Sequence, residues 1–339
     1  MTWDGQALLE PISSEAPCGT NLEDTDTLAA FDANQIFGQT TLEQEPGEAR
    51  KNRPPDWEEI KGRTLDTLGT SKDIRLLAHL GAALLRTDGV PAFVETLRVA
   101  SQWLERYWKE VYPLLDEDDA IFRRNALNCF SDPVAVIDGL RRVPLVSNRQ
   151  HGRFGLRDLE MAAGQVTPSA AEVRPDDAQI RAAFSSMPFD ELKALQQVVV
   201  DGLAVLGAID TVMRRESGAE AGPSFDPLSA QLKKMDVALR AQVAAHPGAA
   251  ASDTGEVSAD GEGGGTVVAV GAVKSRQDAI RALDAAAEFF RRNEPSSPIP
   301  LFLERAKRLV SKDFLEVLAD VAPDALPQAR SAGGLRDES

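Results

Sequence analysis

Cys18, the acidic run Asp116-Glu117-Asp118-Asp119, three histidines and a glycine cluster at 261–265 are the residues whose types could carry chemistry. A thiol nucleophile needs a base or cation that favours its thiolate, and Cys18 sits in a loop without a visible base. Four contiguous carboxylates are suitable oxygen donors for a hard cation. At a helix start they serve equally well as a solvated cap favoured by the helix dipole. A histidine metal site would have to gather His79, His151 and His246 from far apart in the chain, so each reads as a surface or satisfied core residue. Cys129 falls on an apolar helix face and reads as core. The glycines precede no strand-to-helix switch, and no Gly-Lys-Ser/Thr follows them, so they cradle no phosphate. The expectation is no catalytic residue, no cofactor site, no metal site and no enzyme.

The elements around these residues are predominantly helical. The 339 residues are 43% hydrophobic but only 6% aromatic, and Ala, Leu, Glu and Arg, which lose little rotamer freedom in helices, dominate. The formal charge of −16 is unevenly placed. Residues 274–339 carry eleven basic and eleven acidic residues, whereas residues 1–59 carry thirteen acids against Arg50, Lys51 and Arg53, a net of −10. Such a body repels a phosphate backbone, so no nucleic-acid partner is expected. The acidity serves solubility or faces a basic partner. Met1–Pro11 has no Lys or Arg and does not read as a secretory signal. Val198–Met213 is interrupted by Asp201 and Asp210 and falls short of the ~20 apolar residues of a membrane span, so no direct membrane insertion is expected. Two distant cysteines form no disulfide framework and fit a reducing cytosol.

Along the chain, residues 1–55 look irregular. Asp56 caps a helix with Trp57, Ile60, Thr64 and Leu68 on one face. Asp73 opens a second, with Ile74, Leu77, Leu80 and Leu84 inward. Pro91 starts a longer helix through Val94, Leu97, Ser101, Leu104, Trp108 and Val111, stopped by Pro113. Asp116–Asp119 begin the helix that ends near Phe130, and Asp132-Pro133 begins another through Leu140. Residues 143–174 resist assignment. Two long stripes follow, Leu192 to Met213 and Leu228 to Val243, as a helical hairpin. Residues 246–273 lose all apolar period and read as a flexible tether spanning roughly 30 Å. Ser275 with Asp278 forms a capping pair for the next helix. Pro298 starts a second helix, and Ser311 or Asp313 a third that ends at Pro323. The expected fold is thus all-α: an N-terminal helical domain (1–165), a helical middle segment (166–245), a linker (246–273), a three-helix C-terminal domain (274–324) and a disordered tail (325–339).

Several of these motifs occur together in one known family. Leu9-Glu10-Pro11-Ile12-Ser13, Ala16-Pro17-Cys18-Gly19 and Asn21-Leu22 resemble the opening of the ImpA-type N-terminal domain. Pro55-Asp56-Trp57, Ser71-Lys72-Asp73-Ile74-Arg75, Arg106-Tyr107-Trp108, Tyr112-Pro113 and Arg124-Asn125-Ala126-Leu127 continue the match. At the other end, Asn293-Glu294-Pro295-Ser296-Ser297-Pro298-Ile299-Pro300 and Arg305-Ala306-Lys307-Arg308-Leu309-Val310 look like the C-terminal domain of the short TssA subgroup of bacterial type VI secretion systems. The resemblance implies a cytoplasmic, non-catalytic, baseplate-associated scaffold. Such a scaffold forms ring-like homo-oligomers through its C-terminal domain and helps baseplate, tube and sheath assemble in order. The alternative is an acidic helical adaptor or chaperone for a basic client.

Independently of the resemblance, a unit of about fifty residues rarely buries enough surface to stand alone. Its helices nonetheless carry apolar groups on more than one face, so a neighbour is needed. Arg305, Lys307, Arg308 and Lys312 also precede a stretch of acids (Asp313, Glu316, Asp320 and Asp324), an arrangement that permits head-to-tail contacts and ring closure or merely solvates helix faces. The candidate interface comprises Phe289, Phe290, Pro298, Leu301, Phe302, Leu303, Arg305, Arg308, Phe314 and Leu318. The expected N-terminal core positions are Trp57, Ile74, Leu104 and Trp108.

Overall fold

A computed structural model of the chain describes residues 3–23, 25–32, 36–38, 55–169, 172–252, 276–293, 298–309 and 316. They belong to two units, Met1–Val257 and Ser258–Ser339.

In the first unit the stretch expected to be irregular contains a 3₁₀ turn, Gln6–Leu9, and a helix, α1 (Asp26–Asp32). Leu9 and Phe31 are buried, so each piece is fixed by packing rather than by its polar composition. The Asp56 side chain accepts from Glu59 N at 3.1 Å and caps α2 (Trp57–Leu68), whose Ile60, Thr64 and Leu68 face inward. Asp73 likewise caps α3 (Ile74–Thr87) by accepting from Arg75 N at 2.9 Å. Between Ile74 and Leu85 only Arg75 escapes burial, and a helix apolar all round must sit inside its domain. α4 (Val90–Arg106) packs beside it.

α4 is shorter than its apolar stripe predicts. It ends at Arg106, where Tyr107 N still reaches Trp103 O at 2.8 Å, and Trp108 and Val111 lie in the turn beyond. α5 (Ile121–Asn128) follows, with Asp116–Asp119 forming a turn before it rather than its first residues. Asp132 accepts from Val134 N and Ala135 N at 2.9 and 2.7 Å. It thereby caps a π-helical turn, Pro133–Asp138, that runs into α6 (Gly139–Arg142).

The unassigned region holds the departure from an all-α fold. β1 (Pro144–Asn148) and β2 (Gly152–Gly155) form an antiparallel hairpin in the register Val146↔Phe154 and Asn148↔Gly152. Gly152 sits at φ +106°, a conformation most side chains cannot adopt. Two four- to five-residue strands give too short an alternation to read from sequence. Among the described residues the fold is therefore mostly helical with one small hairpin. α7 (Leu156–Ala162) and α8 (Asp177–Ser185) pack against it.

α9 (Phe189–Ser217) and α10 (Asp226–Ala245) form the expected hairpin. Together with α4 they belong to the same unit as the residues before them. By length and composition alone α9 is apolar enough to cross a membrane. Its Leu192, Val199, Leu206, Ile209 and Met213 are buried in the core of the unit. At the start of the expected tether, Pro247–Ser252 form a short helix, α11. Residues 253–273 lie outside the described residues.

The second unit contains α12 (Arg276–Asn293) and α13 (Ile299–Leu309), packed on each other. Lys307 Nζ pairs with Asp284 at 2.6 Å, and Arg291 pairs with Glu304 across the same two helices. Ser275, the expected third helix except Glu316, and the tail 325–339 lie outside the described residues.

Candidate interaction sites

The motifs of the first unit converge on one polar hub. Leu8 O accepts from Lys72 Nζ at 2.6 Å and from Trp103 Nε1 at 2.9 Å, and Leu9 O accepts from Tyr107 OH at 3.1 Å. The main chain is tied alongside: Lys72 N donates to Cys18 O, Tyr112 N to Lys72 O and Ile74 N to Tyr112 O, all within 2.9–3.0 Å. Tyr112 OH reaches Gly19 O at 3.0 Å. Gly19 itself is at φ +72°, and a Cβ there would lie 2.1 Å from Thr70 O, so only glycine fits. These bonds fasten the segment 8–20 to α3 and the turn after α4.

Two buried cations complete the hub. Lys72 lies over the Trp103 ring at 5.3 Å and the Tyr107 ring at 5.8 Å, and burial lowers its pKa. Arg123 donates to Trp108 O and Val111 O at 2.8 Å each and to Pro113 O at 3.0 Å. Its guanidinium stacks 4.6 Å from the Trp108 ring, and burial pushes its pKa down to about 10. Five N–H groups in a fixed fork suit three converging carbonyls in a way a single ammonium does not.

This arrangement is structural rather than nucleophilic. Burial, helped by the charge of Glu110, pushes the Cys18 thiol up to about 11, so it stays protonated at neutral pH. Burial does the same to Cys129. His79 is buried against Phe31 and Phe37, with ring centroids 5.4 and 4.8 Å away, and burial lowers its pKa to about 4. His246 Nε2 lies 2.9 Å from Met187 O. Among the described residues no three His, Cys, Asp or Glu side chains gather to hold a metal ion.

Of the expected core positions, Ile74 and Leu104 are fully buried. Trp57 and Trp108 are only half-buried, each covered by a cation: Arg86 lies 4.8 Å from the Trp57 ring and Arg123 over Trp108. The fully buried tryptophan is Trp103, which the predicted stripe passed over. Arg123 was also missed, although the spacing Ala120, Arg123, Leu127 puts it on the buried face of α5.

In the second unit, Leu301 and Phe302 at the start of α13 are 76% and 66% exposed. Arg305 and Arg308 are exposed on the same helix, while Leu303 and Phe290 are half-buried. Pro298 is exposed before the helix, and Leu301 N donates to its carbonyl at 3.1 Å. The side chain of Phe289, and Phe314 and Leu318 entirely, lie outside the described residues.

Comparison with known proteins gives this geometry a family. Residues 9–132 match the family described as ImpA, N-terminal, type VI secretion system. Over 349 residues the chain is 30% identical to the type VI secretion system component TssA1 of Pseudomonas aeruginosa strain PAO1, covering 99% of both chains. The chain belongs to the TssA family. The solved N-terminal domain of the TssA component from Burkholderia cenocepacia, which includes the conserved ImpA N-terminal region, superposes with a TM-score of 0.54. That match covers 72% of this chain and 94% of that one, at 23% identity, and so speaks for the fold alone. The family match starts at Leu9 and ends at Asp132, and Gly19, Lys72, Trp103 and Tyr112, which hold the first segment of this chain down, all fall inside it.

Proposed function

We propose that this TssA-family chain is a cytoplasmic, non-catalytic assembly component of a type VI secretion system. In this reading it forms a ring-like homo-oligomer through residues 274–324, associates with the baseplate and helps baseplate, tube and sheath assemble in order. The observation that carries the reading is the exposure of the neighbouring Leu301 and Phe302 on α13. Two adjacent large side chains left in water lose about 1.5–3 kcal/mol each relative to burial, and a neighbouring copy recovers it. The half-buried Pro300 and exposed Pro298 fix the backbone at that point, so little conformational freedom remains to be lost on association. Arg305 and Arg308 at the edge of this face favour a head-to-tail contact with the acids that follow in the sequence.

The test is a double variant, Leu301→Asp with Phe302→Asp, carried by the full-length chain in secreting cells. Secretion should be lost and the purified protein should dissociate, while the first unit keeps its tryptophan emission and thermal midpoint. Secretion at the wild-type level by a correctly folded, still oligomeric variant rules this face out as the assembly surface.

A further inference from the structure

The turn between α4 and α5 presents a second exposed face. Leu114, Ile121 and Phe122 are 44%, 38% and 55% exposed. Among the described residues of the first unit, they are three of the five large apolar side chains so exposed, and they fall within nine residues of sequence. The chain doubles back between Leu114 and Ile121: Asp116 N donates to Asp119 O at 3.0 Å and Asp119 N to Asp116 O at 2.8 Å. Glu117 at the tip has φ +57°, a left-handed conformation that costs a non-glycine residue about 1 kcal/mol or more.

This face is held rigidly. Ser217 Oγ donates to Asp118 O at 3.1 Å, pinning the turn to the end of α9, and Arg124 Nη1 of α5 donates to Glu220 O just beyond that end at 2.7 Å. From beneath, Arg123 locks the carbonyls of Trp108, Val111 and Pro113. Apolar groups kept in water on a preordered backbone are suited to binding, because little entropy remains to be lost. The side chains of Asp116, Glu117, Asp118 and Asp119 are exposed beside them and, among the described residues, enter no ion pair.

We propose that Leu114, Ile121 and Phe122 dock a short basic segment of a partner protein, one carrying large apolar side chains flanked by Lys or Arg. The charge decides the occupant. Four carboxylates within a Debye length of one another attract a cationic segment and speed its encounter. They repel nucleic acid and anionic lipid. A second copy is disfavoured too, since the whole −16 of this chain lies in residues 1–273. Phe122 is the anchor and the carboxylates form the rim. The surface does not depend on self-association, so a chain that proved monomeric would still present it.

The experiment places a photo-crosslinking amino acid at position 122 of the full-length chain in secreting cells, with position 237 on α10, also exposed, as control. The adduct formed at 122 is mapped to its peptide. The expected result is one adduct specific to 122, joined to a segment of another protein that has net positive charge and large apolar side chains. Its yield should fall roughly tenfold when Asp116, Asp118 and Asp119 are each changed to Asn, as steering charges lose their pull. Asn at 119 retains an oxygen for the Ile121 N–H that Asp119 Oδ1 accepts at 2.9 Å, so the turn and the thermal midpoint should be preserved. An adduct with a second copy, an adduct with an acidic or uncharged segment, a yield indifferent to the three Asn changes, or no adduct at 122 overturns the proposal.

Discussion

Replacing Arg123 with Met tests the structural reading of the hub. The guanidinium supplies donors to three carbonyls, those of Trp108, Val111 and Pro113. Each buried acceptor left without a donor costs about 1–3 kcal/mol, so the three together cost about 6 kcal/mol at the middle of that range. Loss of the contact with the Trp108 ring adds about 1 kcal/mol. Against this, Met removes a buried charge. Burial lowers the guanidinium pKa from its ordinary value to about 10, which corresponds to about 3 kcal/mol of relief. The net is a loss of about 4 kcal/mol, a large fraction of the 5–15 kcal/mol typical of a folded domain. Arg123→Lys should fare no better, because it keeps the buried charge and cannot fork over three carbonyls. Urea unfolding followed by tryptophan emission reads this cleanly, since Trp3, Trp57, Trp103 and Trp108 are the four tryptophans and all lie in the first unit. A loss below about 1 kcal/mol for Met, or full rescue by Lys, would refute the reasoning.

Lys72→Met should change stability by only about 1 kcal/mol, because Leu8 O keeps its bond from Trp103 Nε1 and the buried charge is relieved; the same urea titration measures it. Trp103→Ala should cost about 3–5 kcal/mol and Trp57→Ala clearly less, since only the first ring is fully enclosed; equal losses would contradict the burial pattern. The His79 pKa is lowered from 6.5 to about 4, so below pH 6.5 the unfolded chain binds a proton that the native one does not. Stability should therefore fall by about 3 kcal/mol as pH drops from 6.5 to 4. His79→Phe should flatten that part of the pH profile, and an unchanged slope would place the titrating group elsewhere.

Much of the first unit was legible because its helices are punctuated by side chains acting locally. Asp56, Asp73 and Asp132 each announced a helix start, and each caps one. The errors arose where tertiary contacts outweigh local pattern. The apolar stripe from Val94 to Val111 runs past the true end of α4, because Val111 is buried, and Trp108 half-buried, from the following turn instead. Residues 6–9 and 26–32 fold because Leu9 and Phe31 find a core made by distant helices, which no local signal conveys. Lys72 and Arg123 were unreadable as core residues by type, since buried cations are rare and justified only by carbonyls that the fold brings to them. The apolar surplus around Leu301 and Phe302 could be read, because three consecutive large residues on a helix cannot share one core.

The central claim, that the chain works as a self-assembled scaffold, is tested most directly by the solution mass of the full-length protein measured by light scattering. The account predicts a single discrete species at a multiple of 36.5 kDa large enough to close a ring, and reduced to one copy by Leu301→Asp with Phe302→Asp. A wild-type chain that scatters as one 36.5 kDa copy at every concentration tested contradicts it.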